Sequence, residues 1–254
     1  MSGFDLHGAV ALVTGAGGYI GGAICTALSR QGATVVGADL RPAGGMQTVD
    51  VTDAASWQAL IGDVRATHGR LDILVNNAGI APMEPIATIN PDTWRRTMAI
   101  NVEGVMLGLQ AATPLLRETG TRRRGGASVI NIASAASNRP TAFSAGYCTS
   151  KAALAMLTKV AAIEFSMLGY PIRVNSVHPG AVRSPMVDNI LQTFSGLSGG
   201  LPTEQIRQAI VDGCPMKRLV EPDEVAEAVV YLACEEARFV HGTEQYVDGG
   251  YTAA

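Results

Sequence analysis

Three side chains near the middle of the chain could move a proton together: Ser134, Tyr147 and Lys151. Tyr147 and Lys151 stand one helical turn apart in Tyr147-Cys148-Thr149-Ser150-Lys151-Ala152-Ala153-Leu154, at the start of an apolar, alanine-rich run. On a helix such a pair shares a face. An ammonium beside a phenol favours the phenolate and lowers a pKa that starts near about 10. Tyr147 is therefore a candidate acid or base at neutral pH. Ser134 follows the apolar stretch Ser128–Ala133, and a hydroxyl leaving a strand there can point at the same reacting oxygen. Taken alone, a Tyr-x-x-x-Lys spacing describes a buried tyrosine and a surface lysine. The rest of the chain decides between the two readings.

Short apolar runs alternate with longer helical patterns. Strands are expected at Ala9–Val13, Ala33–Ala38, Gln47–Val51, Leu71–Val75, Ser128–Ala133, Ile172–Val177 and Gln245–Val247. Helices are expected at Tyr19–Gln31, Ala54–Thr67, Pro91–Leu116, Tyr147–Met167 and Asp223–Cys234. Near-continuous apolar strands separated by helices imply a parallel sheet covered on both faces. The connection from Asp39 to Asp50 has little room for a helix, and Pro42, Gly44 and Gly45 oppose one. A loop or single turn is expected there, with that sheet edge thinly covered. No repeat or linker-like tract divides the chain, so residues 1–254 read as a single domain.

The first strand runs into Thr14-Gly15-Ala16-Gly17-Gly18-Tyr19-Ile20-Gly21-Gly22. Strand, glycine-rich turn and helix form the setting in which backbone N–H groups cradle a pyrophosphate. The next strand ends in Asp39, where a carboxylate can accept hydrogen bonds from a ribose. That carboxylate repels a ribose phosphate, so NAD is favoured over NADP, although Arg41 lies close by.

These motifs in this order resemble the short-chain dehydrogenase/reductase family, from about His7 to the last residues. Its Thr-Gly-x-x-x-Gly-x-Gly pattern is met by Thr14, Gly15 and Gly21, with Tyr19 in place of the middle glycine. The resemblance implies a Rossmann-type, doubly wound α/β fold of about seven parallel strands with helices on both faces. It implies cofactor contacts from the turn (Gly15, Gly18, Tyr19, Ile20, Gly21), from Asp50 and Val51 beside the adenine, and from Asn77, Ala78 and Gly79 after the fourth strand. Pro179, Gly180, Val182 and Ser184 match the segment that grips the carboxamide, Ser184 replacing the usual threonine. Val247-Asp248-Gly249-Gly250 matches the closing strand and turn. The implied catalytic set is Asn101, Ser134, Tyr147 and Lys151. Tyr147 passes the proton, Ser134 fixes the substrate oxygen, Lys151 tunes the phenol and reaches the nicotinamide ribose, and Asn101 holds a water toward solvent.

The implied activity is NAD-dependent interconversion of a hydrophobic secondary alcohol and its ketone. The stretch Gly169–Pro179 is similar to hydroxysteroid and cyclic-alcohol dehydrogenases. A segment at about 186–218, with Phe194, Leu197, Leu201, Ile206, Ile210 and Met216, is expected to cover the substrate, and Phe143 is a further candidate for the pocket wall. His178 reads as structural rather than as a base. The alternative is a dinucleotide-binding regulator without turnover, which only Tyr19 favours. The family's habit of pairing the Pro91–Leu116 and Tyr147–Met167 helices implies a homotetramer, with a dimer as the fallback.

Composition narrows the partners. Hydrophobic residues make up 47% of the 254 and charged residues 16%, a compact chain with much buried surface. A net charge of −3 without a sustained basic cluster gives nucleic-acid binding no electrostatic support. No apolar run has the length of a membrane span, and Met1–His7 lacks signal-peptide character. Cys25, Cys148, Cys214 and Cys234 are scattered without metal-site spacing. They read as free thiols of a cytoplasmic protein, and no metal is expected.

Overall fold

The computed structural model describes residues 4–254; the reading of Met1–His7 falls partly on residues outside that range. Seven strands form one sheet: β1 (Val10–Thr14), β2 (Thr34–Asp39), β3 (Gln47–Thr48), β4 (Ile73–Asn76), β5 (Ala127–Ile132), β6 (Ile172–Pro179) and β7 (Glu244–Val247). Their order is β3-β2-β1-β4-β5-β6-β7, and every neighbouring pair is parallel. The chain winds outward from β1 to β3, then crosses back to start the other half at β4. That reversal opens a crevice at the carboxyl ends of β1 and β4, where open α/β sheets bind ligands.

Side chains of a strand alternate between the two faces of a sheet. Leu12, Leu74, Val129 and Val174 accordingly pack on one face, with α2 (Ala54–His68), α4 (Gly104–Gly120) and α5 (Ala145–Met167). Ala11, Val13, Ile73, Val75, Ile130 and Val177 pack on the other, with α1 (Tyr19–Arg30) and α8 (Pro222–Ala233). Both faces being covered, β1, β4, β5 and β6 are buried at every position, the polar side chains of β6 included. Between β2 and β3 there is no helix, and both β3 residues are exposed, as Pro42, Gly44 and Gly45 foretold.

Two regions differ from the sequence reading. The expected Pro91–Leu116 helix is α3 (Pro91–Met98), a π-helical turn at Ala99–Glu103, and then α4. The helical run 91–120 is long and apolar enough to cross a bilayer by length and composition. However, Val105, Leu109, Ala112, Leu115 and Leu116 are buried against the sheet. The second difference is the segment after β6, which forms two helices, α6 (Pro185–Leu197) and α7 (Thr203–Gly213). Ser184 caps α6 by accepting from the Val187 N–H, and Pro185 opens its first turn. Gly199 and Gly200, both at positive φ, lie in the connection between the two helices.

Candidate active site

The dinucleotide end is built by a latch between β1 and β4. Thr14 Oγ1 accepts from the N–H groups of Asn77 and Ala78 at 3.1 and 3.2 Å. In return, Asn77 Nδ2 donates to the carbonyls of Thr14 and Gly15, each at 3.0 Å. Gly15 turns the chain at φ +65°, and a Cβ at Gly21 would lie 2.1 Å from the Gly15 carbonyl oxygen. Only glycine permits that approach. No side chain caps α1, so its first-turn N–H groups are available to an anion. Tyr19 enters the helix in ordinary geometry and leaves its side chain 61% exposed, so replacing the middle glycine does not change the strand–turn–helix path. Asp39 Oδ2 accepts from the Gly17 N–H at 3.1 Å and Oδ1 from the Arg41 N–H at 3.1 Å. Asp50 is turned toward Thr52, whose N–H and hydroxyl hold its carboxyl below the usual range.

The proton-transfer end lies where β5 stops. Ser134 Oγ accepts from the Ala136 N–H at 3.1 Å, which leaves its own hydrogen for another partner. The Ser134 carbonyl is held from behind by Ser137 Oγ and by His178 Nδ1, the latter at 3.1 Å. His178 Nε2 meets Ser176 Oγ at 2.8 Å. His178 is fully buried off the cavity wall, and burial pushes its pKa down. A polar ladder from Asn76 through Asn131 to Thr158 (2.8 and 2.9 Å) ties β4 and β5 to α5. It fixes the helix that carries Tyr147 and Lys151.

Lys151 Nζ donates to the Ile132 carbonyl at 2.7 Å and lies 5.9 Å from the centre of the Tyr147 ring. Burial pushes its pKa down to about 8. Burial also raises the Tyr147 pKa, opposed by a hydrogen bond from Ser134. The expectation of a lowered phenol is therefore corrected, because desolvation of the phenolate outweighs the hydrogen bond from Ser134. Asn101 ties the chain at Ile80 to α5. Its Nδ2 donates to the Ile80 carbonyl and to Ser150 Oγ, and its Oδ1 accepts from the Ile80 N–H, all at 2.9 Å. Both Nδ2 hydrogens and one acceptor site of Oδ1 are thus used within the protein, and the side chain lies off the cavity wall.

One cavity of about 850 Å³ joins the two ends. Ser134, Tyr147 and Lys151 lie on its wall, as do Gly15, Gly18, Tyr19, Ile20, Gly21, Asp39, Asp50, Val51, Asn77, Ala78, Gly79, Pro179, Gly180, Val182 and Ser184. The covering segment contributes Met186, Val187, Ile190 and Ile210, whereas Phe194, Leu197, Leu201, Ile206 and Met216 do not reach the wall. Phe143 also stays off it and meets Phe194 edge to face, with ring centres 5.4 Å apart. Sequence reasoning missed Arg139 and Tyr251, which both line the cavity. The position of Arg139 between Ser134 and Tyr147 was a usable signal, whereas the final residues gave none. No group of side chains among the described residues could hold a metal ion.

A family model described as enoyl-(acyl carrier protein) reductase matches residues 15–252. Cyclopentanol dehydrogenase of Comamonas sp. (strain NCIMB 9872) is 35% identical over 259 residues, which span 96% of this chain and 97% of that one. Cis-4-hydroxycyclohexanecarboxylate dehydrogenase of Sinomonas cyclohexanicum is 39% identical over 259 residues, 96% of each chain. Among solved structures, the 3-ketoacyl-(acyl-carrier-protein) reductase from Brucella melitensis complexed with NADH superposes with a TM-score of 0.83 at 29% identity. The match covers 97% of this chain and 99% of that one.

Proposed function

The chain belongs to the short-chain dehydrogenase/reductase family, a family of oxidoreductases that use a nicotinamide dinucleotide. From that premise we propose that it is a single-domain, cytoplasmic, NAD-dependent enzyme that interconverts a hydrophobic cyclic secondary alcohol and its ketone. The observation that carries the reading is the sharing of one cavity wall by the Ser134–Tyr147–Lys151 group and the uncapped N-terminus of α1.

A dinucleotide fits the residues present. The α1 N–H groups suit its pyrophosphate. Asp39, on the same wall, suits a ribose with two free hydroxyls and opposes a phosphorylated one, which favours NAD. When bound, the nicotinamide supplies the hydride acceptor or donor. The protein's own groups handle the oxygen of the substrate. Ser134 donates to that oxygen in place of the Tyr147 phenol, and Tyr147 takes or gives the proton. Lys151, able to hold or release a proton near pH 8, sits beside the phenol. Asn101 acts from behind by fixing Ile80 on the wall. Helices α6 and α7, within about 186–218, cover the substrate with Met186, Val187, Ile190 and Ile210, an apolar lining suited to a hydrocarbon ring. The relatives named for cyclic alcohols support the same class. We place the enzyme in a homotetramer formed through α4 and α5.

A screen of cyclic secondary alcohols with NAD, followed at the nicotinamide absorbance, tests the reading. Turnover is expected, and Tyr147→Phe should reduce it below a few per cent while NAD still binds. In the cofactor arm, Asp39→Ala should weaken NAD more than NADP; equal losses would contradict the ribose assignment. Saturable NAD binding with no turnover of any alcohol would instead favour a dinucleotide-binding regulator.

A further inference from the structure

Three arginines reach the cavity wall: Arg96, Arg139 and Arg218. Arg218 is neutralised by Glu224, whose two oxygens accept from it at 2.7 and 2.5 Å. Arg96 is exposed on α3. Arg139 differs from both. It is half-buried, and its guanidinium stacks over the Tyr251 ring, 4.1 Å from the ring centre. Nη1 donates to the main-chain oxygen of Tyr251 and, at 3.5 Å, to a carboxyl oxygen of Ala254, the last residue of the sequence. Among the described residues, its Nε and Nη2 find no protein acceptor and no Asp or Glu pairs with it. The carboxylate on the same stretch of wall, Asp248, is directed into its own turn, where it accepts from the N–H groups of Gly250 and Thr252 and the Thr252 hydroxyl.

The location is informative. The Arg139 N–H donates to the Ala135 carbonyl at 2.9 Å, which sets the residue one turn beyond Ser134. The main chain of Arg139 thus sits beside the proton-transfer group, and its guanidinium lies against Tyr251 on the same cavity wall. A guanidinium fixed flat on an aromatic ring and by main-chain oxygen is already oriented, with one edge of its fork uncommitted. Partial burial removes water from the Nε–Nη2 edge, where no side chain of the described residues accepts from it, while Nη1 is taken up by the chain end. The planar fork matches a carboxylate through two parallel hydrogen bonds.

We infer that Arg139 recognises a carboxylate on the substrate, so that the preferred alcohol is a hydroxy acid with an apolar ring between its carbinol carbon and its carboxylate. This inference rests on the dehydrogenase reading of the same site. The carboxylate stays unchanged through the reaction. The carbinol C–H and O–H bonds break and a C=O bond forms; the hydride goes to the nicotinamide and the proton leaves through Tyr147.

The test compares kcat/KM for 4-hydroxycyclohexanecarboxylate and cyclohexanol in wild type, Arg139→Gln and Arg139→Lys. Calorimetric binding of cyclohexanecarboxylate, which has no hydroxyl to oxidise, provides a second readout on the NAD-loaded protein. Wild type should prefer the acid by roughly 10- to 100-fold, the worth of a hydrogen-bonded charge pair. Arg139→Gln should remove most of that preference, mainly through KM, and abolish cyclohexanecarboxylate binding. Arg139→Lys should restore only part of both, because an ammonium lacks the fork. Equal losses for acid and neutral alcohol would show that Arg139 only anchors the chain end, and would overturn the inference. So would a wild type without acid preference, whatever the variants do. Carboxylate binding that depends on Arg139, with no alcohol oxidised, would sink the dehydrogenase reading and leave the anion site standing.

Discussion

Burial governs both titrating groups at the heart of the site, and it moves them in opposite directions along the pH axis. The Tyr147 phenol is raised and the Lys151 ammonium lowered to about 8, because each loses water that would solvate its charged form. Below pH 8 the folded and unfolded chains both carry the lysine proton, and folding must bury an ammonium. From about 8 up to the ordinary 10.5, the unfolded chain keeps a proton that the folded one has released. Stability contributed through Lys151 therefore rises with pH across that window. The thiols of Cys25 and Cys234, pushed up to about 11 and about 12, act in the opposite sense above their ordinary 9.0. The clean interval is pH 8 to 9. Denaturant titrations should show wild type gaining about 1 kcal/mol relative to Lys151→Met across it. Parallel curves for the two proteins would mean that Lys151 does not fold into a desolvated site. The spacing of Tyr147 and Lys151 was legible in the sequence, but the sign of the phenol's shift was not. Sequence shows which charges are neighbours and hides how much water each one loses.

At the scale of elements, the legible parts were those set by local chemistry. The turn after β1, the capless start of α1 and the missing helix before β3 all follow from glycine and proline at particular positions. The illegible parts depend on contacts between distant segments. The bonds of the Asn101 amide to Ile80 and Ser150 join segments far apart in sequence and left no local signal. Helices α6 and α7 were obscured because Gly196, Gly199 and Gly200 interrupt their apolar pattern, although Ser184 and Pro185 mark the start of α6. The tightest element contact offers a direct test. A methyl group at Gly21 would collide with the Gly15 carbonyl oxygen at 2.1 Å and with Asn77 Nδ2 at 2.8 Å. Neither can yield without breaking the latch between Thr14 and Asn77. Gly21→Ala should thus lower unfolding stability by about 1–3 kcal/mol, the usual cost of overpacking. It should weaken NAD more than tenfold, since the displaced turn carries the α1 N–H groups. Gly62→Ala makes the natural control, because nothing lies within 4 Å of the added methyl. Unchanged NAD affinity in Gly21→Ala would show that the turn does not hold the cofactor.

Across the whole molecule, one face remains to be accounted for. Met156, Val160, Ile163 and Met167 follow one another along α5 at intervals of three or four residues, and they are 59, 50, 64 and 82% exposed. Such spacing lines up a single stripe. The opposite side of α5 is buried through Leu154, Ala161, Ala162 and Phe165, so the helix carries apolar side chains on two faces. A helix of that kind belongs in an interior or in an interface. The stripe lies on the back of the helix that carries Tyr147 and Lys151. Covering it with the same stripe of a second copy satisfies two-fold symmetry without any further surface. A carboxylate placed in the stripe would face its own symmetry mate across a desolvated contact. Wild type is therefore expected to scatter light as an oligomer, and Ile163→Glu, and more strongly Ile163→Glu with Met167→Glu, should yield smaller species. Because both positions are exposed in the single subunit, far-ultraviolet circular dichroism should remain native. A wild type that scatters as a monomer would remove the stripe from any interface, and a double variant that keeps the wild-type mass would place the contact elsewhere on the surface.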